Sequence, residues 1–222
     1  MQHQFEKEKV MTDNFDKMRE YMIGLGFKEE YRTDCDVYFD VQLIRRGKDH
    51  PNLPSANYTF KTYYFDCISN FDKAKDEITK CCDMFGLRAY IAVNAKSKYE
   101  ATLKTIAKYA DNLSRGEARK PWRVFSSVCG GQTGKEKRWV VDCDDCGRIA
   151  EYVSITKDFI KECDSAFENP IIMEIPTRSG YHIITHPFNL ADFKRKFDDS
   201  VYNAPEIKKN HITLLYENII KD

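Results

Sequence analysis

Residues 138–145 read RWVVDCDD, an apolar run that ends in three carboxylates. Side chains two apart on a strand share a face, so Asp142 and Asp144 project together while Cys143 points to the opposite side. Carboxylates crowded on one face need positive charge between them. A divalent ion would supply it, since hard oxygen donors suit Mg2+ or Mn2+ and leave coordination positions for substrate phosphates. The plainer reading is a solvated strand end turning into a loop.

A second group lies downstream, in EIPTRSGYH at 174–182. Pro176 and Gly180 bracket a tight polar turn between two apolar stretches. Thr177, Ser179 and the backbone around Gly180 offer donors, Arg178 a fixed positive charge, and His182 an imidazole at the start of the next strand. This is the composition of a phosphate cradle. An ordinary hairpin with a satisfied histidine is the alternative.

Arg45, Arg46 and Lys48, with His50, Tyr58 and Tyr63 nearby, form the clearest basic cluster for a phosphate backbone or a triphosphate. Lys120, Arg123, Lys135, Lys137 and Arg138 form another. Each is a nucleic-acid contact or simply a solvated face, and phosphate contacts supply most non-specific affinity for nucleic acid.

Other motifs lead less far. His211-Ile-Thr213 fits the HxT signature of two-histidine phosphoesterases, but His182-Ile-Ile-Thr185 has one residue too many to be its partner, and the extra residue turns Thr185 to the wrong face. His182 and His186 could share a strand face as a metal pair, although a structural role is the expectation. Cys143 and Cys146 form a CxxC without a second pair at zinc spacing. The remaining cysteines of the eight are scattered, so most are expected as buried thiols.

The elements that must position these residues follow from periodicity. Thr12 or Asp13 can cap a helix whose Phe15, Met18, Met22 and Leu25 form one stripe ending at Gly24 and Gly26. Strand 37–43, a proline-interrupted polar loop at 45–58, strand 63–67, an amphipathic helix at 70–85 and strand 87–93 make a βαβ pattern. A helix at 97–113 follows, then loops flanking a short apolar piece at 124–128. The second half predicts strand 138–143, helix 156–167, strands 171–176 and 181–185, helix 190–197 and strand 212–216. That order is a split βαβ, the pattern of ferredoxin-like and RRM-like sheets. Such a sheet serves many functions, so its shape alone decides none.

Composition sets the bounds. A 222-residue chain with 42% hydrophobic residues can bury a core without staples, and it reads as one compact α/β unit of two lobes. Its 35 basic residues cancel its 35 acidic ones, which excludes a histone-like or polybasic binder. No long apolar run and no signal-like start appear, so the expectation is a soluble, cytoplasmic protein without a membrane partner.

Together, Asp142-x-Asp144 and Ser179-Gly180-x-His182 resemble the catalytic core of the archaeo-eukaryotic primase superfamily, the primase-polymerases. The resemblance is firmest over 137–217; LRAYIAVNAKS, beginning at Leu87, is similar to the family's N-terminal lobe less specifically. It implies a single two-lobe α/β (α+β) domain over 1–222, with an N-terminal lobe over about 1–120 and an RRM-like catalytic sheet over about 121–222. By the same resemblance Asp142 and Asp144 are catalytic and hold Mg2+ or Mn2+, while Arg178, Ser179, Gly180 and His182 bind the nucleotide. The implied partners are nucleoside triphosphates, a DNA or RNA template and a replicative helicase. The implied setting is the cytoplasm, which is the host's for a viral or plasmid-borne chain.

The chain departs from the family at the third acidic ligand. The approach to the expected last strand reads Lys208-Lys209-Asn210, with Glu206 just before it and Glu217 at its far end. Glu206 or Asn210 is therefore the expected third ligand, and the expected reaction is template-directed synthesis or extension of a strand. A degenerate nucleotide- or nucleic-acid-binding module of a replication assembly is the alternative.

Overall fold

The computed structural model describes residues 9–49, 57–144, 147–198 and 200–220, and it shows a mixed α/β fold built on two antiparallel sheets. One sheet is contiguous in sequence. Its strands are β6 (Trp139–Asp144), β7 (Ile171–Pro176), β8 (Gly180–Thr185) and β9 (Glu206–Lys209), in the order β7-β8-β6-β9, and α5 (Ile149–Glu162) and α6 (Leu190–Lys196) connect them. This is the split βαβ arrangement that the second half of the chain predicts. Its fourth strand, however, is Glu206–Lys209 and not 212–216.

The last strand, β10 (Ile212–Ile220), crosses into the other sheet. There it lies between β1 (Lys9–Asp13) and β4 (Arg88–Ala92), followed in order by β2 (Val37–Arg46) and β3 (Asn57–Phe65), with the short β5 (Lys96–Ser97) on β2. The first sheet thus closes on both ends of the described chain. β3, α2 (Ile68–Phe85) and β4 form a βαβ unit with β2 inserted between the two strands. Residues 9–13, expected to lead only into a helix, form an edge strand. Asn14 takes the N-cap position of α1 (Phe15–Gly24), and Asp13 Oδ1 accepts the Phe15 amide at 2.9 Å.

Three other expectations shift. The expected polar loop at 45–58 is mostly strand where described: β2 runs through Arg46, a 3-10 turn covers Gly47–Asp49, and β3 begins at Asn57. His50 and the two prolines lie outside the described residues. The short apolar piece at 124–128 belongs to α4 (Pro121–Gly131), which starts on proline and buries Val124 and Cys129; Cys129 packs with Tyr38 and with Ala101 of α3 (Lys98–Ser114). Helix α5 starts earlier than expected, just after Gly147 in the left-handed region at φ +80°, and buries Tyr152, Val153, Thr156 and Ile160 at helical spacing.

Alternation along β6 fixes the relation between the two cores. Trp139, Val141 and Cys143 pack with Tyr152, Val153 and Ile160 of α5 and Phe193 of α6. Val140, on the other face, joins the larger core of Phe15, Met18, Phe39, Val41, Ile78 and Ile91, together with Ile175 and Ile184 from neighbouring strands. The second sheet is therefore apolar on both faces at its base. The sheets are also tied by buried side chains. Asn14 Nδ2 donates to the Leu214 and Pro176 carbonyls at 3.0 and 2.9 Å. Asn94 exchanges two hydrogen bonds with the Arg138 backbone, at 3.1 and 2.9 Å. Asn14 satisfies carbonyls of both sheets at once, and Asn94, which follows β4, pairs with the residue that precedes β6, so the relative placement of the sheets is held by groups that are costly to leave unpaired.

Candidate functional site

Between the sheets lies a cleft of about 540 Å3, and the face of β6 that begins in the core at Val140 ends in it. Asp142 and Asp144 line the cleft, while Cys143 is buried on the opposite side, as the period-2 reading requires. Across the ladder Asp142 pairs with His182 of β8 and with Glu206 of β9, so three strands bring these groups to one level. The same carboxylates border a second recess of about 270 Å3, lined also by Tyr152, Tyr202 and Glu206.

Asp142 is doubly engaged. Its Oδ1 lies 3.2 Å from His182 Nε2, and its Oδ2 accepts from Lys208 Nζ at 2.5 Å. Burial opposes ionisation, but these hydrogen bonds and the adjacent ammonium outweigh it and hold the carboxyl well below the usual carboxylate range. Burial likewise opposes the charge on Lys208, and Asp142 and Glu206 together raise its pKa. The second imidazole nitrogen, His182 Nδ1, is 2.9 Å from Thr213 Oγ1. The neutral tautomer that satisfies both contacts donates from Nε2 to Asp142 and accepts the threonine hydroxyl. His211 also lines the cleft, where desolvation and the nearby Lys208 and His182 push its pKa down.

The turn after β7 forms an adjacent wall. Thr177 N donates to the Gly180 carbonyl at 2.9 Å, closing the hairpin, and Thr177, Arg178 and Ser179 line the cleft. Gly180 pairs with Asp144, and a Cβ added to it would sit 1.9 Å from the Cys143 carbonyl oxygen. Only glycine lets the turn approach the carboxylate strand this closely. Arg178 reaches Asp49 at 3.4 Å. Asp49 is in turn held by Arg88 through two bonds, at 2.8 and 2.6 Å, and Arg88 lies 3.1 Å from Glu217. Burial raises the pKa of Glu217 despite the opposing pull of Arg88. Arg46, whose guanidinium donates to the Tyr90 hydroxyl at 3.1 Å, and Lys48 complete the basic side.

The residues fit a divalent ion in donor type. Asp142, Asp144 and Glu206 are hard oxygen donors on one cleft wall, and the Lys208 ammonium, 2.5 Å from Asp142 and 3.3 Å from Glu206, marks a point where positive charge is favoured. As the side chains stand, no group of three or more His, Cys, Asp or Glu residues among those described closes around a common point. Lys208 occupies the place between two of the carboxylates.

The cleft gathers Asp142, Asp144, Arg178, Ser179, His182, Glu206, Arg46 and Lys48, with Gly180 as backbone support. Other expected residues lie elsewhere. Arg45 follows the strand alternation away from Arg46 and stacks over Tyr58 at 5.8 Å. Asn210 is turned to Gly134, whose amide donates to its Oδ1 at 3.1 Å. The second basic cluster separates: Lys135 pairs with Asp36 at 2.7 Å, and buried Arg138 pairs with Glu136. His186 stacks on Phe167 at 3.7 Å and does not join His182. Asp145 and Cys146 lie outside the described residues, and Cys67, Cys82, Cys129, Cys143 and Cys163 are buried.

Sequence reasoning missed Arg88, Lys208 and Thr213 as parts of the site. Arg88 carried a usable signal, because an arginine inside LRAYIA must find partners if that strand is buried. Compared with known proteins, the chain matches no protein-family model, no curated protein and no solved structure. Among the described residues no helix is long and apolar enough to cross a membrane.

Proposed function

We propose that the chain is a metal-dependent nucleotidyltransferase of the primase-polymerase kind, synthesising or extending a strand on a nucleic-acid template. The observation that carries this reading is the convergence in one cleft of the carboxylate pair, the Thr177-Arg178-Ser179 turn and His182, backed by Arg46 and Lys48. Asp142, Asp144 and Glu206 would hold Mg2+ or Mn2+, which supplies activation of the attacking hydroxyl and neutralisation of the leaving pyrophosphate. Arg178, Ser179 and His182 bind the triphosphate, and Thr213 keeps the His182 ring oriented. The recess that Tyr152 and Tyr202 share with the same carboxylates takes the strand end that carries the attacking 3′-hydroxyl. Positioning and charge complementarity account for the chemistry asked of the side chains.

One observation favours the second reading, a binding module without turnover: Lys208 already neutralises Asp142. Strand extension with a primed template, triphosphates and Mn2+ separates the two. The expected result is synthesis that falls at least about 100-fold in Asp144→Asn, which keeps shape and removes charge. No synthesis by the wild type with any nucleotide, combined with triphosphate retention that requires His182, would leave the binding module as the account.

A further inference from the structure

Outside the cleft, helices α3 and α4 and their connection line a pocket of about 470 Å3 whose charged lining is all cationic: Lys108, Arg119, Lys120 and Arg123, with Asn112 and Ser127. Over residues 98–131 the sequence carries seven Lys and Arg against three Asp and Glu, although the whole chain is neutral. Lys108 Nζ donates to Ser127 Oγ at 2.9 Å, and Arg119 pairs with Glu117 at 2.8 Å. Lys120 and Arg123 form no ion pair among the described residues. Lys120 is also the N-cap of α4, so the positive dipole end of the helix lies beside these cations.

An independent observation points to a ligand. Asn112 lines this pocket at 2% exposure; its Oδ1 accepts from Arg115 at 3.4 Å, while its Nδ2 donor has no hydrogen-bond partner. A buried donor left unpaired costs free energy that a bound acceptor recovers. Next to the pocket, the Arg123 guanidinium lies 5.4 Å from the centre of the Trp122 ring, and Trp122 is 60% exposed. An exposed indole beside a cationic pocket suits a base stacked next to a phosphate.

We infer that the α3–α4 pocket is a phosphate-binding site for the backbone of single-stranded nucleic acid, with Trp122 as the stacking platform for an adjacent base. The pocket is distinct from the cleft. Helix α3 leaves from β5, which pairs with the Val37 end of β2, whereas the cleft takes Ile44 and Arg46 from the other end. Those two ends are separated by nine residue steps, about 30 Å of strand. The pocket and the cleft share no lining residue. The inference does not depend on the cleft being catalytic.

The test is binding of a labelled single-stranded oligonucleotide of about 25 nucleotides, followed by anisotropy without triphosphate or metal over a range of salt. Lys120→Gln/Arg123→Gln is expected to bind about tenfold more weakly, with a salt dependence shallower by about 1.4, the contribution of two phosphate contacts to a single strand. The protein has two tryptophans, and Trp139 is 9% exposed, so oligonucleotide should quench the fluorescence of Trp122 while inorganic phosphate should not. Asn112→Leu should weaken binding without lowering Tm, because it removes an unpartnered donor and gives up only the long 3.4 Å contact from Arg115; a purely structural Asn112 would lower Tm and leave binding alone. Oligonucleotide affinity and salt slope unchanged in the double variant would overturn the inference. So would protection by inorganic phosphate that the double variant loses while oligonucleotide binding stays the same, since that result assigns the pocket to a small free anion. Triphosphate binding by the cleft is measured separately and is expected to be unchanged in these variants.

Discussion

Arg88 and Asp142 each centre a set of opposite charges on the walls of the same cleft, but the two sets differ in how they meet water. Around Arg88 the set is closed at its centre: its partners Asp49 and Glu217 come from the 3-10 turn and from β10, all three side chains are buried, and only Arg178 reaches Asp49 from the cleft. Around Asp142 the set opens outward, from buried His182 through half-buried Lys208 to Glu206, whose side chain is 72% exposed. A closed set can hold elements in register because its ions have nowhere else to go. An open set can exchange its cation, because water and solutes reach it. The difference separates a structural ion network from a candidate binding one although both draw on the same residue types.

The sharpest way to break this contrast is Arg88→Met. It strands two buried carboxylates, so the protein should lose about 3–5 kcal/mol of stability in urea titration. A variant that unfolds at the wild-type midpoint would show that the closed set does not hold the first sheet together.

The two sets should also respond to pH with opposite sign. Folding lowers the pKa of Asp142, so its contribution is fully present above the ordinary carboxylate value and is lost as pH falls through the lowered one. Folding raises the pKa of Glu217, so its contribution is favourable in acid and is lost as pH rises through the raised value. In metal-free protein, Asp142→Asn should therefore cost most stability near neutral pH and progressively less as pH falls below the ordinary carboxylate range. Glu217→Gln should be nearly silent in acid, where it mimics the protonated side chain, and comparatively favourable near neutrality. Parallel pH profiles for the two variants would erase the distinction.

The smallest expected effect is that of Lys208→Met. Loss of a half-buried ammonium from an open set should change stability by less than about 1 kcal/mol, since His182 still holds Asp142. The same substitution should tighten Mn2+ binding by calorimetry, because the tethered cation no longer competes for Asp142 and Glu206. Weaker Mn2+ binding in this variant would place the ion away from these carboxylates.

Three strands of the second sheet were readable from the chain because the sheet is contiguous, but its fourth, expected at 212–216, is Glu206–Lys209. Its strand alternation, the Pro176 and Gly180 boundaries and the βαββαβ order are local properties, and the observed strands 171–176 and 180–185 fall on or within one residue of the expected ones. The third acid was harder to read. Asn210 lay close to the expected strand, but β9 ends at Lys209 and Asn210 turns at φ +49° into the connection to β10. Glu206 reaches the site only because β9 pairs with β6, which puts it opposite Asp142. The first sheet was the least legible, because β10 pairs with β1 and β4, and no periodicity in the segment reports where its hydrogen-bonding partners lie.

The sequence by itself determined which side chains share a face: Asp142 with Asp144, opposite Cys143, and the donors of the 177–182 turn close behind one another. These follow from strand period and turn chemistry, which depend on neighbours a few residues away. Tertiary structure decided what faces them. Lys208, Thr213, Arg88 and Arg46 come to the carboxylates and the turn from other strands, over long sequence separations, and Gly180 fits against Cys143 only because the two strands are paired. The charge state of Asp142 and the shape of the cleft are set by such contacts between distant segments, and these exist only once both sheets have packed.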